Sequence, residues 1–260
     1  MRDEGGIARD DRRSPAGHVG LAVEVIQRLA SMRRAGVGKL QQPMLDHLVA
    51  AVCTSDTGAV AAVLESFRAA RIGPDAVTTE YIPAAARILG TAWEEDRLTF
   101  GMVTIGTARL QAMVRQLQQD HRADAADPAA QSAVLVLIPP GEQHTLGAMV
   151  AAAMLRRKGV SVSVQIAPSV NDMSTMLANR RFQAVLVTLG SIDRVDTCVK
   201  LVKTLKQITK GALRVAIGGA VLDECRNDLT DAGADLVTND VETVISEFGL
   251  NEQMSERNAW

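Results

Sequence analysis

The chain has 260 residues, with 28 Lys and Arg against 30 Asp and Glu, so it lacks the basic excess of a general nucleic-acid or anionic-membrane binder. Aromatic residues make up only 3%, so Ala, Val, Leu, Ile and Met must build the core. Cys53, Cys198 and Cys225 are far apart and form no CxxC pair, which argues against a disulfide framework or a zinc site. The chain begins with no apolar signal segment, and its longest apolar run, 146–155, is shorter than the roughly 20 residues that cross a bilayer. We therefore expect a cytoplasmic protein without membrane contact.

The first half of the chain predicts a tail followed by helices. Residues 1–39 are expected to form a flexible polar tail plus one helix. Residues 40–122 are expected to form a helical-bundle cap, with helices over 40–52, 60–67, 76–93 and 100–119. Pro83 is expected to break or kink the third of these helices, and Thr99 to cap the fourth. The segment 121–128 has no apolar pattern and is expected to be a linker.

The second half predicts an α/β domain over residues 131–250. Apolar runs alternate with helical segments, and strands are expected over 133–138, 160–166, 184–189, 213–217 and 234–237. Strands that are apolar throughout and alternate with helices indicate a parallel sheet covered on both faces. The predicted fold class is therefore α/β, a helical bundle followed by a five-stranded Rossmann-like or flavodoxin-like domain. Residues 251–260 are expected to be a C-terminal tail.

Ligands of such sheets bind outside the carboxyl ends of the strands, where the segments 139–147, 188–191 and 218–220 are expected to lie. In the first segment, Glu142 and His144 are two residues apart on a loop and can point the same way. A carboxylate that accepts the N–H of one ring nitrogen leaves the other nitrogen free as a metal ligand. Gly147 would let the following helix approach something bulky. The alternative is an exposed loop histidine with no ligand.

The other two segments carry small groups at strand ends. Thr188 offers a hydroxyl, and Gly218 and Gly219 remove side chains, so that a flat ligand group can lie against the backbone. An ordinary pair of turn glycines is the alternative. The segment 137–141 is not GxGxxG, so a dinucleotide site is poorly supported.

These motifs together resemble a known family. Glu142-Gln-His-Thr-Leu-Gly147 resembles the (Asp/Glu)-x-His-x-x-Gly signature of cobalamin-binding domains of the base-off, His-on type. Thr188 stands where that family carries Ser or Thr, and Gly218-Gly219-Ala220 matches its Gly-Gly motif. The resemblance implies that His144 is the metal ligand and displaces the cofactor's own dimethylbenzimidazole from the cobalt. It also implies that the freed nucleotide tail lies near Thr188, Gly218 and Gly219.

The segment 81–93 resembles the capping bundle of the same proteins, in which a Trp packs over the upper face of the corrin. A buried core Trp is the alternative for Trp93. Light-sensing repressors of this class, which use adenosylcobalamin, carry Glu and His ten and eleven residues after that Trp, where this chain has Val103 and Thr104. Hydroxo-, aquo- or methylcobalamin is therefore expected rather than adenosylcobalamin. The cofactor-binding residues that the resemblance implies are Trp93, Val103, Thr104, Glu142, His144, Thr145, Leu146, Gly147, Thr188, Leu189, Ser191, Gly218, Gly219 and Ala220.

From Trp93 to Gln111 the sequence is similar to the AerR/PpaA type of cobalamin-binding anti-repressor from purple photosynthetic bacteria. This similarity implies a light-responsive transcriptional regulator that is not an enzyme. Its partner would be a repressor of photosynthesis genes, and it would contact DNA only indirectly or weakly. Three alternatives stay open: a corrinoid carrier subunit of a methyltransferase, a haem-binding sensor on the same fold, and a small α/β enzyme without a corrin. The last lacks a GxSxG motif and has no cysteine near His144 in sequence.

Overall fold

The computed structural model describes residues 40–122 and 133–250, which form two compact units. The first unit ends at Arg109 and the second begins at Leu110. This division lies inside one long helix, Phe100–Arg122, whereas the sequence pattern favoured 121–128 as the linker between the two domains. The predicted tail and helix of 1–39 and the C-terminal tail lie outside the described residues. No helix within the described ranges is long and apolar enough to cross a membrane.

The first unit is helical, as predicted. Its longer helices are α1 (Gln42–Cys53), α2 (Ala59–Ala69), α3 (Ile82–Glu94) and the first half of α4 (Phe100–Arg122), and a three-residue helical turn, Pro74–Ala76, lies between α2 and α3. Apolar side chains spaced three and four residues apart give each helix one buried face. The buried positions of α1 to α3 include Leu45, Leu48, Val52, Val63, Leu64, Phe67, Ile82, Ala85, Ile88, Leu89 and Ala92.

Pro83 is predicted to break or kink the helix, and the structure shows no break, because helical backbone continues through Tyr81 and Ile82. Pro83 is at the start of α3, where its missing N–H costs little. The backbone before it keeps helical dihedrals, and a π-helical turn over Val77–Tyr81 widens the hydrogen-bond spacing, so that Ile82 N donates to Val77 O. The predicted cap at Thr99 is confirmed, because its Oγ1 accepts the N–H of Met102 at 3.3 Å.

The second unit is the predicted α/β domain. After the second half of α4, its elements in chain order are β1 (Ala133–Ile138), α5 (Leu146–Arg157), β2 (Ser161–Ile166), α6 (Val170–Asn179), β3 (Ala184–Leu189), α7 (Val195–Ile208), β4 (Arg214–Gly219), α8 (Leu222–Asp231), β5 (Leu236–Val237) and α9 (Val241–Glu247). The five strands are parallel and lie in the order β2-β1-β3-β4-β5, the flavodoxin-like arrangement. The predicted fold class is confirmed.

Both faces of the sheet are buried at the central strands β1 and β3, which explains why these two strands are almost entirely apolar. On one face, alternate residues of β1, β3 and β4 pack with residues of α6, α7 and α8. The strand and helix residues of this cluster include Leu135, Leu137, Met173, Val185, Val187, Val202, Val215, Ile217 and Leu229. On the other face, the intervening residues pack with α5 and α9, including Val134, Val136, Ile138, Ala152, Leu155, Leu186, Ala216, Val244 and Ile245.

One strand differs from its prediction in a way that affects the site. β4 continues through Gly218 and Gly219, which pair in register with Thr188 and Leu189 of β3. The two glycines are therefore the last residues of the strand and not the turn that follows it. The sequence pattern ended the strand at Ile217 because glycines usually weaken a strand, and here the pairing with β3 outweighs that preference.

Candidate functional site

The carboxyl ends of β1 and β3 mark the switch point of the sheet. β1 has β2 on one side and β3 on the other, so the two chain segments that leave β1 and β3 diverge. In open α/β sheets, ligands bind in the crevice that this divergence opens. The segment 139–145 follows β1, and the segment 190–191 follows β3.

A buried carboxylate joins these two segments. One oxygen of Glu142, Oε1, accepts the backbone N–H of His144 at 2.8 Å and lies 2.7 Å from Nδ1 of the His144 ring. The other oxygen, Oε2, accepts the backbone N–H of Gly190 at 2.8 Å. The predicted contact between Glu142 and His144 is thus present, and Glu142 also ties the loop after β1 to the end of β3.

The environment of Glu142 favours its charged form. Burial by itself raises the pKa of the carboxyl group, but the backbone N–H groups of His144 and Gly190, together with the His144 ring, outweigh it and bring the pKa below its ordinary value. Glu142 is therefore a carboxylate at neutral pH, and a carboxylate can only accept hydrogen bonds. The Nδ1 atom of His144 must then carry a proton.

The other nitrogen of His144 is available for a ligand. The side chain is 67% exposed, and its Nε2 has no hydrogen-bond partner among the described residues. With a proton on Nδ1, a neutral ring presents the Nε2 lone pair outward. This oriented imidazole matches the outer-shell arrangement of metal-ligating histidines, in which a carboxylate holds the ring by its other N–H. His144 is therefore exposed, but Glu142 holds its ring in one orientation.

Gly190 is a functional residue that the sequence reasoning missed. A Cβ at this position would lie 2.5 Å from Cβ and 2.8 Å from Nδ1 of His144, closer than any real contact. Only glycine lets the ring lie against the end of β3 while its N–H binds Glu142. The available signal was weak: Gly190 stands between Leu189 and Ser191, two residues that the resemblance implied.

Gly219 has an equally strict requirement for glycine. Its φ is +154°, and a Cβ would lie 1.7 Å from the carbonyl oxygen of Leu189. The same carbonyl accepts the N–H of Ala220 at 3.1 Å. Asn239 completes the arrangement, because its side chain accepts the N–H of Gly219 at 2.7 Å and donates to the carbonyl of Gly219 at 2.8 Å. Asn239 is a second residue absent from the predicted set.

Neighbouring strand ends hold Thr188 and Gly218 beside one another. They are partners in the register of β3 and β4, and both are half-buried. A Cβ at Gly218 would lie 3.2 Å from the carbonyl oxygen of Thr238, so space is restricted there as well. Ser191, just beyond β3, is half-buried, and its carbonyl accepts the N–H of Arg194.

The start of α5 holds three more predicted residues. Thr145 is the residue before the helix, and Leu146 is buried at its first position. Gly147 is exposed, and a Cβ there would meet no atom of the described residues within 4 Å. Packing within the described part of the chain therefore does not require glycine at position 147.

Trp93, Val103 and Thr104 belong to the helical unit. Trp93 lies near the end of α3 and is 50% exposed, so the alternative of a core tryptophan is wrong. Val103 is half-buried in the first turn of α4. Thr104 is exposed, and its hydroxyl donates to the carbonyl of Phe100 at 2.8 Å.

Comparison with known proteins gives one strong relative. No family model matches the chain. An uncharacterized 20.5 kDa protein from the bchF–crtJ intergenic region of Rhodobacter capsulatus is 50% identical over 188 residues, which are 72% of this chain and 98% of that protein. The chain belongs to the family of this Rhodobacter capsulatus protein. The function of the relative is uncharacterized, so family membership alone assigns no activity to this chain.

The fold of this chain also occurs in a solved structure. The monomethylamine corrinoid protein of Methanosarcina barkeri superposes with a TM-score of 0.63 at 13% identity, over 84% of this chain and 99% of that one. A cobalamin-binding protein from Desulfitobacterium hafniense DCB-2 gives a TM-score of only 0.41 at 20% identity, over 78% and 96% of the two chains. The first likeness establishes a shared fold, and the second is too low to support an argument.

Proposed function

We propose that this protein binds a cobalamin and that His144 is the lower ligand of its cobalt. The observation that carries the proposal is the oriented imidazole at the switch point of the sheet. Glu142 holds the Nδ1 proton, and Nε2 is exposed without a partner among the described residues. The fold shared with a corrinoid protein supports the same ligand class.

The surrounding residues fit this cofactor in their chemistry. Imidazole nitrogen is a suitable ligand for a transition metal, and Glu142 supplies the outer-shell carboxylate that fixes its tautomer. Gly147 has space beside it, and Thr188, Gly218 and Gly219 present small groups at the ends of β3 and β4, where a nucleotide tail would lie. When bound, cobalamin would supply a cobalt whose upper ligand can be exchanged or released by light.

We further propose a regulatory role for the bound form. The relative is encoded in the bchF–crtJ intergenic region, a photosynthesis gene region. The protein would act as a light-responsive anti-repressor of the AerR/PpaA type, with a photosynthesis-gene repressor as its partner. Val103 and Thr104 replace the acidic and imidazole groups expected of an adenosyl-specific site, which favours a hydroxo-, aquo- or methylcobalamin.

The first experiment tests cofactor binding. Purified protein is incubated with hydroxo-, methyl- and adenosylcobalamin and with haemin, and visible spectra are recorded. We expect a His-on corrinoid spectrum that is lost in His144→Ala, while His47→Ala, an exposed histidine of α1, leaves it unchanged. Corrin binding with an unaltered spectrum in His144→Ala would refute the ligand assignment, and a Soret band with haemin alone would favour the haem sensor.

The second experiment separates a regulator from a carrier. The fold likeness to a corrinoid protein favours a carrier as the second candidate function. Loaded protein is tested for capture of a purified photosynthesis-gene repressor in darkness and after illumination. Cofactor-dependent capture supports the regulator. Methyl transfer from the loaded protein to an added acceptor by a partner methyltransferase, without repressor capture, would support the carrier instead.

A further inference from the structure

The hydroxyl of Thr145 is used in an unexpected way. Thr145 directly follows His144 and is the N-cap residue of α5, where a Thr side chain usually accepts a backbone N–H of its own helix. Here it caps nothing. Its Oγ1 instead accepts the side-chain Nε2 of Gln111 at 2.9 Å. The Thr145 hydroxyl therefore contacts α4, where Gln111 lies, in place of a backbone N–H of α5.

Gln111 lies on the second half of α4, which belongs to the same compact unit as the sheet. Gln118, two turns further along that helix, makes a second pair of contacts to α5. Its Nε2 donates to the carbonyl of Met149 at 3.3 Å, and its Oε1 accepts Nη1 of Arg156 at 3.2 Å. The two glutamines therefore fasten one face of α4 along α5, and Gln111 does so at the residue next to His144.

We propose that Gln111 is a positioning residue for His144, which it holds through the hydroxyl of Thr145. His144 has two supports: Glu142 and Gly190 fix its ring from the sheet, and Gln111 fixes the following residue from α4. The identity of the ligand of His144 rests on the proposed function, whereas the Gln111–Thr145 contact does not.

The same contact joins Thr145 to α4, a helix that continues into the helical unit. α4 is one continuous helix from Phe100 to Arg122, and its N-terminal end carries Val103 and Thr104. A hydrogen-bonded helix moves as a stiff element, so a displacement of Thr145 on ligand binding would be passed to α4 through Gln111. Breaking the contact should therefore loosen His144 and also uncouple α4 from the occupancy of the site.

The test compares Gln111→Leu and Thr145→Val, which remove the donor and the acceptor with little change in volume. Thr145→Ser keeps the hydroxyl and serves as the rescue variant. Gln118→Leu is the matched control, because it loses contacts on the same helix face away from His144. We expect the first two variants to bind methylcobalamin about three- to tenfold more weakly and to show a His-off fraction at saturation, which Thr145→Ser and Gln118→Leu do not show.

A double-mutant cycle tests whether Gln111 and Thr145 affect corrinoid binding as one unit. If the two side chains act as one unit, Gln111→Leu and Thr145→Val together should weaken binding no more than either alone. Additive losses, or a His-off fraction in Gln118→Leu equal to that in Gln111→Leu, would overturn the proposal.

Hydrogen exchange separates failure of this inference from failure of the proposed function. In protein without corrinoid, amides of 139–147 should exchange faster in Gln111→Leu and Thr145→Val than in wild type and Gln118→Leu. In wild-type protein, methylcobalamin should also slow exchange in 100–110, and Gln111→Leu should abolish that change. If wild-type protein binds no corrinoid, the proposed function fails, and the exchange of 139–147 still decides whether Gln111 positions His144. Equal exchange in all variants would refute the positioning role.

Discussion

Substitution of Gly190 by alanine is the sharpest test of how the fold orients His144. The added Cβ would lie 2.5 Å from Cβ, 2.7 Å from Cγ and 2.8 Å from Nδ1 of His144. The two nearest of these atoms are not the far end of a flexible side chain, so rotation of the ring cannot relieve the contact. The loop that carries His144 must move away from β3.

The size of this movement sets the expected effect. Ordinary contact begins near 3.4 Å, so the loop must retreat by about 1 Å, more than the roughly 0.5 Å that a positioned ligand tolerates. Glu142 lies on the same loop, so the movement also stretches its bond to the N–H of residue 190. We expect cobalamin affinity to fall about 10- to 100-fold, as for other outer-shell changes at metal ligands, and the free energy of unfolding to fall by about 1–3 kcal/mol.

The assay combines visible-spectrum titration with methylcobalamin and denaturant unfolding of the protein without corrinoid. Gly147→Ala is the control, because a Cβ there meets no atom within 4 Å among residues 40–122 and 133–250. That variant should keep or slightly gain stability, since alanine is the better helix residue, and it should lose affinity only if the corrin lies beside it. Wild-type affinity, spectrum and stability in Gly190→Ala would refute the steric reasoning.

Glu142, Gly219 and two cysteines give three further predictions. The folded-state pKa of Glu142 lies below its ordinary value, so its contribution to stability is present at neutral pH and is lost as the pH falls through the folded-state pKa. Glu142→Gln should therefore lower the free energy of unfolding by about 1–3 kcal/mol at pH 7, and in urea titrations its difference from wild type should narrow as the pH falls through that pKa; a constant difference would contradict this. Gly219→Ala places a Cβ 1.7 Å from the carbonyl oxygen of Leu189 at a φ of +154°, so thermal unfolding should show a loss of at least about 3 kcal/mol or no folded protein, and a near-wild-type melt would disprove the strain. Burial raises the pKa of Cys53 to about 11 and that of Cys198 to about 12, so peptide mass spectrometry should find neither alkylated by iodoacetamide at pH 8 until the protein is unfolded; rapid labelling of native Cys198 would be incompatible with this environment.

Much of the fold could be predicted because hydrophobic periodicity is local. The predicted ranges of β1 and β3 coincide with the observed strands, and the helices α1, α2 and α4 begin and end within about three residues of their predictions. Pro83 and β4 are the exceptions. A π-helical turn absorbs the missing N–H of Pro83, and pairing with β3 extends β4 over two glycines, and neither effect is visible in a window of neighbouring residues.

The sequence by itself determined the parallel sheet and the pairing of Glu142 with His144, because buried strands and a carboxylate two residues from an imidazole are local patterns. Only the tertiary structure decided what surrounds that pair. The strand order puts β3 beside β1, which brings Gly190 to Glu142 across 48 residues of sequence, and the packing of α4 on α5 brings Gln111 to Thr145 across 34. Such contacts depend on strand order and helix packing, which residue periodicity does not encode.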